Sequence, residues 1–239
     1  MSGRAIRVAR LKSLALLVLA ALAPAARADI VTRMPTRARV VALTFDACQA
    51  GTTMHLDHGI SDYLTARNIP FTVFMGGRFA RDNAADVAAL ASNSSVEIEN
   101  HSWSHNNHMP ELSDERVLSE VTRAEQEIRA RTHRHTRLFR FPAGNSDERT
   151  VALVEGLGYT VVHWRWSEGD PDPKVTADDL VRNTVERARP GDILVFHING
   201  RGVHTAEALP RIVDGLAAKG FRFVRVDDYV HGPAPPAAH

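Results

Sequence analysis

From position 39 onward, short apolar runs alternate with amphipathic segments. Apolar and β-branched runs at 39–45, 71–75, 96–99, 138–140, 159–163, 192–196 and 221–224 predict strands. Helical periodicity predicts helices at 56–66, 84–91, 113–130, 148–157, 177–188 and 206–219, with Ser113 placed to cap its helix and Arg116 to pair with Glu120. This β/α alternation implies an α/β fold: a mostly parallel sheet covered by helices, either closed into a barrel or left open and doubly wound. Periodicity leaves both arrangements open. Asp46, His101, Arg140 and His197 all fall at or just past the C-terminal ends of strands, the side on which such folds assemble their chemistry.

The pattern delimits one domain over 39–230, with a lead-in at 29–38 and a proline-rich tail at 231–239. No repeat or long linker divides it. Residues 1–28 read differently: four basic residues precede the Leu-, Ala- and Val-rich run 14–23, and Ala26-Arg27-Ala28 offers a small-x-small cleavage site. That pattern predicts a secretory signal peptide, cut before Asp29. Its apolar run is about half of the roughly twenty residues a spanning helix needs, so no stable membrane anchor is expected after cleavage. The expected location is periplasmic or secreted.

The chain has 239 residues, 44% of them hydrophobic, with 15 glycines, 12 prolines and a single cysteine. Collagen, wholesale disorder and a disulfide scaffold are excluded on those grounds. The net charge of +1 becomes −4 once Arg4, Arg7, Arg10, Lys12 and Arg27 leave with the leader, so no basic nucleic-acid face is indicated. Cys48 has no intrachain partner and reads as a buried thiol or an active-site neighbour.

His101 and His105, in HSWSH, would share one face of a helical turn and present two imidazoles to one metal ion. His108 lies nearby. Asp46 follows the strand VVALTF and must be hydrated, bonded or paired there; Arg140, in RFPAG, could pair with it. His197 ends ILVF, suited to proton transfer or to a structural bond. Asp170 could orient Arg140 or another polar group. Trp164 and Trp166, two apart on a strand, would face one side as a core stripe or a sugar platform. No nucleophile elbow accompanies Ser104, and no phosphate-loop lysine follows Gly76-Gly77.

Taken in order, TFDAC (44–48), HSWSH (101–105), RFPAG (140–144), the looser 164–170 region and LVFH (194–197) resemble the motifs of polysaccharide deacetylases with a NodB-homology domain, carbohydrate esterase family 4. The resemblance spans roughly 39–226 and implies a distorted (β/α) barrel. It implies Asp46 as catalytic base, His197 as general acid, and His101 and His105 as ligands of a divalent ion, zinc first and cobalt or another second. It further implies Arg140 as the arginine positioning the aspartate, with Asp170 its orienting partner, Leu194 lining the acetyl pocket, and a backbone N–H near Ala143 stabilising the developing oxyanion. The implied reaction removes acetyl groups from an N- or O-acetylated polysaccharide or oligosaccharide. One position departs: the family's second consecutive aspartate, the third metal ligand, is Ala47 here. Asp57, His55, His58, His108 or water could complete the shell. The alternatives are a saccharide-binding pseudoenzyme and a hydrolase of a non-sugar C–N bond.

Overall fold

A computed structural model describes residues 30–49 and 54–232. The expected leader, cleavage site and most of the tail lie outside these residues. Seven strands run β1 (Val40–Ala47), β2 (Phe71–Met75), β3 (Val96–Asn100), β4 (Leu138–Phe139), β5 (Thr160–Val161), β6 (Ile193–His197) and β7 (Arg222–Phe223). All pair in parallel, in the order β5-β4-β3-β2-β1-β6, with β7 joined to the start of β1. The helices are α1 (His58–Ala66), α2 (Gly77–Asp82), α3 (Ala84–Ser92), α4 (Asp114–Thr132), α5 (Glu148–Gly156), α6 (Ala177–Arg187), α7 (Thr205–Ala218) and α8 (Asp227–Val230). Among the described residues, no helix is long and apolar enough to cross a membrane.

The sheet curls into a distorted barrel whose two terminal strands, β5 and β6, do not pair. Residues 30–34 lie across that gap: Val31 bridges to Val162 on one side and Arg33 to Asp192 on the other. Val31 donates to the Val161 carbonyl at 2.9 Å, and Met34 donates to the Gly191 carbonyl at 2.8 Å. Arg165 crosses the same gap to Asp192 at 2.9 Å.

The two-residue period of β1 sorts its side chains. Val41, Leu43, Phe45 and Ala47 pack outward against the helices. Val40 and Ala42 point inward with Phe74, Leu138, Val162 and Ile193. Phe45 contacts Phe71 and Phe196 with ring centroids 5.8 and 5.9 Å apart, and burying each such side chain contributes about 1.5–3 kcal/mol. Thr44 and Asp46 continue the inward register. The same parity turns Val96 and Ile98 of β3 toward the helices and leaves Glu97, Glu99 and His101 on the other face.

Four local expectations are corrected. The segment 77–82, too short and too polar to show a helical period, forms α2. Ser113 stands at the N-cap of α4, but its side chain makes no capping bond. Glu120 turns from Arg116 to accept from the Ser104 backbone and hydroxyl, both at 2.8 Å. The fifth strand stops at Val161, and the chain bends at 165–166, which breaks the alternation assumed for the two tryptophans.

Candidate active site

Four strand ends bring the chemistry together. Asp46 is four percent exposed, close to the end of β1, and directly across from His197 in the β1–β6 register. Arg140 follows β4 and is wholly buried. Its Nη1 donates to Asp46 Oδ1 at 2.8 Å and to Thr44 Oγ1 at 2.9 Å, while its guanidinium carbon sits 3.9 Å from the Phe74 ring centroid. Burial by itself would raise the Asp46 carboxyl, but in the acid range where it titrates the protonated His101, the Arg140 guanidinium, the protonated His197 and the Arg140 hydrogen bond outweigh it and hold the group at about 2.

His101 follows β3. Its Nδ1 lies 2.8 Å from the Arg140 carbonyl, which assigns the N–H to Nδ1 and leaves the lone pair on Nε2. Arg140 therefore fixes two groups at once, the aspartate through its side chain and the histidine through its backbone. His101 Nε2 stands 3.6 Å from Asp46 Oδ2 and has no hydrogen-bond partner, nor does His105 Nδ1. Burial lowers both imidazoles, His105 to about 3, so each is a neutral donor at ordinary pH.

The histidine pair does not sit on a helix, contrary to its spacing. The 101–105 loop is turned by left-handed backbone at Ser102 (φ 67°) and His105 (φ 56°), a strained choice for residues with a side chain. It is held by Asn100, which accepts from Ser102 N at 3.0 Å, by Glu120, and by the Gly77 N–H to the Ser102 carbonyl at 2.9 Å. A Cβ at Gly77 would run into the Trp103 ring. The imidazole centroids of His101 and His105 come to 5.0 Å.

His197 Nδ1 meets Asp170 Oδ1 at 2.9 Å, and Asp170 Oδ2 accepts from the His197 backbone N–H at 2.7 Å and from Thr205 Oγ1 at 2.9 Å. Asp170 thus holds the histidine rather than Arg140, which corrects the pairing the resemblance implied. With Nδ1 engaged, Nε2 is left for the pocket.

A pocket of about 180 Å³ opens over these groups, and its lining includes Asp46, His105, Ala143, Trp164, Val195 and His197. That volume suits one acyl group and part of a ring rather than a whole oligosaccharide. Ala143 adopts φ 54°. Two substrate-binding expectations are corrected. Leu194 is wholly buried among the residues facing the helices; β-parity gives the pocket to Val195, whose N–H is held by the buried Glu168 at 3.1 Å. Trp166 lies beyond the bend, its ring 4.2 Å from the Arg187 guanidinium and its indole N–H toward Asp192, so of the two tryptophans only Trp164 lines the cavity.

The substitute ligands suggested for Ala47 are engaged elsewhere. Asp57 caps α1, His55 meets Asn83 at 3.3 Å, His58 lies between Asp62 and Asp86, and exposed His108 pairs with Glu111. Among the described residues, the one cluster of potential metal donors is Cys48, His101 and His105, with donor atoms within 4.8 Å of one another. The two unpartnered buried imidazole nitrogens fit a divalent ion. Cys48 is the residue that sequence reasoning missed as a donor. The available signal was its place just past the end of β1, where its sulfur comes near both imidazoles, whereas Ala47 packs outward. Burial and the Asp46 charge push the free thiol up to about 11, against the lowering effect of Arg201.

A family model for polysaccharide deacetylase matches residues 33–162. The chain belongs to the polysaccharide deacetylase family. The matched segment carries Asp46, His101, His105 and Arg140, whereas Asp170 and His197 lie beyond it. A bifunctional xylanase/deacetylase of Pseudobutyrivibrio xylanivorans is 24% identical over 195 residues, 80% of this chain and 30% of that protein. The chain spans between 30% and 64% of the length of the curated relatives it matches. Among solved structures, a peptidoglycan N-acetylglucosamine deacetylase superposes with a TM-score of 0.76 at 23% identity, covering 84% of this chain and 92% of that one. A family 4 pseudoenzyme from Bacillus anthracis superposes with a TM-score of 0.71 at 21% identity, covering 81% and 66%. Both share the family's fold.

Proposed function

We propose that this family member is a divalent-metal-dependent hydrolase that removes acetyl groups from an N- or O-acetylated polysaccharide or oligosaccharide. The observation that carries the reading is one small pocket lined both by an aspartate held ionised and by a histidine held through Nδ1 by a second carboxylate, beside two buried, unpartnered imidazole nitrogens. A bound divalent ion, zinc on this reading, supplies Lewis acidity that polarises an acyl oxygen and acidifies water.

Asp46 accepts the proton of the attacking water. Its Oδ1 is fixed by Arg140, leaving Oδ2, on the His101 side, to receive it. His197 delivers a proton from Nε2 to the departing amine or alkoxide, while Asp170 fixes the ring through Nδ1. Trp164 and Val195 give the acetyl methyl an apolar wall, and the turn at Ala143 supports an N–H donor to the developing oxyanion. The pocket's size supports end-on entry of an acetylated group with the rest of the saccharide outside. The leader pattern ending at Ala28 supports a periplasmic or secreted location, where such polymers lie.

Ala47, buried and without a donor atom, favours the second reading, a saccharide-binding pseudoenzyme. The test is acetate release by zinc-supplied protein from chitooligosaccharide, acetylated xylan and peptidoglycan fragments, compared with Asp46→Asn and His197→Ala. Release from at least one substrate, reduced about 10²-fold or more in both variants, supports the hydrolase. Saccharide binding unchanged in both variants, with no acetate from any protein, supports the pseudoenzyme.

A further inference from the structure

Ala47 removes a carboxylate from the family's metal site, yet the next residue brings an anion-forming donor back. Ala47 packs outward with the helix-facing core. Cys48 is wholly buried, and its sulfur lies within 4.8 Å of a donor nitrogen on each of His101 and His105. Independent of the cysteine, His101 Nε2 and His105 Nδ1 are buried polar atoms without partners, a costly state that a ligand would relieve.

Two donors face the sulfur and fix its position. Asn199 Nδ2 donates to Sγ at 3.4 Å and is fixed by a second bond to the Cys48 carbonyl at 2.6 Å. The Arg201 guanidinium donates to Sγ at 3.7 Å. His101 is held through Nδ1 by a backbone carbonyl, as metal-ligating histidines usually are. A tetrahedral ion with nitrogen at about 2.0–2.1 Å and sulfur at about 2.3 Å needs donor separations of roughly 3.5 Å. The cluster reaches that by closing little more than an ångström at most.

We propose that the Cys48 thiolate is the third protein ligand of the divalent ion held by His101 and His105, replacing the family's carboxylate from one residue further along the chain. The inference rests on the metal-dependent reading above. The substitution keeps the site's single anionic ligand while changing its softness. A thiolate with two imidazoles selects zinc or cobalt over magnesium, calcium and manganese, which prefer oxygen. Asn199 and Arg201 are positioning residues that set the orientation and basicity of the sulfur.

The test is zinc K-edge X-ray absorption on the isolated protein loaded with zinc chloride alone, with a parallel cobalt-loaded sample. Expected are one sulfur scatterer at about 2.3 Å among nitrogen and oxygen at about 2.0–2.1 Å, and a near-ultraviolet thiolate-to-cobalt charge-transfer band. Both signatures vanish in Cys48→Ser and Cys48→Ala, and zinc affinity falls at least tenfold. The wild-type spectrum decides even where a variant folds poorly. Zinc surrounded by nitrogen and oxygen alone, in a protein that releases acetate, overturns the inference and leaves the hydrolase standing. Sulfur ligation in a protein that releases no acetate upholds it and removes the hydrolase instead.

Discussion

Replacing Arg140 with methionine removes the guanidinium that holds Asp46 while keeping most of the side chain's volume. Both partners are buried and 2.8 Å apart. Deleting one member of a buried ion pair strands the other charge, at a cost of about 3–5 kcal/mol. Asp46 is the charge stranded. Its carboxyl is lowered from 3.8 to about 2, so it contributes on the order of 2 kcal/mol of stability that is fully present above pH 3.8 and lost as pH falls through 2. Arg140→Met removes one of the three lowering charges and the hydrogen bond, and leaves the upward push of burial less opposed. The acid-range loss of stability between pH 4 and 2 therefore shrinks. Adding Asp46→Asn to Arg140→Met should recover part of the neutral-pH loss, with a coupling of about 1.5–3 kcal/mol. Urea unfolding followed by circular dichroism on wild type, both single variants and the double variant measures this. Costs additive within about 0.5 kcal/mol would refute the reasoning, because the pair would then be close in space without being coupled in energy.

A Cβ at Gly202 would lie 2.5 Å from Asp170 Oδ2 and 3.0 Å from the His197 carbonyl, so Gly202→Ala should lower kcat about tenfold or more by displacing the Asp170–His197 pair, read by acetate release on protein shown to fold. Val195→Phe should fill much of the pocket and raise KM for the acetylated substrate at least tenfold, whereas Leu194→Val should cost about 1 kcal/mol of stability and leave KM unchanged; the reverse pattern returns Leu194 to the pocket. At the other end of the inner face, burial first and the Asp227 charge next raise Glu97 from 4.5 to about 7, against the Thr72 hydroxyl, the Asp227 N–H and Arg225, with Glu99 and Arg137 also nearby. A proton bound in the folded state and released in the unfolded state makes this group's contribution complete below pH 4.5 and lost as pH rises through 7. Glu97→Gln should flatten the decline of unfolding free energy between pH 5 and 8, and an unchanged slope would count against it.

The β/α order was readable because β1, β2 and β6 show mostly apolar runs, β3 an alternating one, and every long helix a stripe. Asp46 and His197 were readable because each interrupts such a run at its end. Failures came where register or distant pairing decides. Leu194 and Val195 are both apolar, and only their parity relative to His197 separates pocket from core. Trp166 was misplaced because the bend at 165–166 leaves no mark in an alternating pattern. Asp170 pairs with His197 through a loop whose course no local rule fixes. The bridge formed by residues 30–34 consists of isolated contacts to strands more than 100 positions away, beyond the reach of local propensity. Cys48 was passed over because the aspartate's absence directed attention to other oxygen and nitrogen donors, not to the residue that follows Ala47 just past the strand.

The most direct measurement is mass spectrometry of the products formed by zinc-loaded protein and a chitooligosaccharide in heavy-oxygen water. The account predicts acetate carrying one solvent oxygen together with a saccharide bearing a free amine, and neither product beyond background from Asp46→Asn. A zinc-loaded protein that binds chitooligosaccharide, acetylated xylan and peptidoglycan fragments and yields labelled acetate from none of them contradicts the assignment of this pocket to deacetylation.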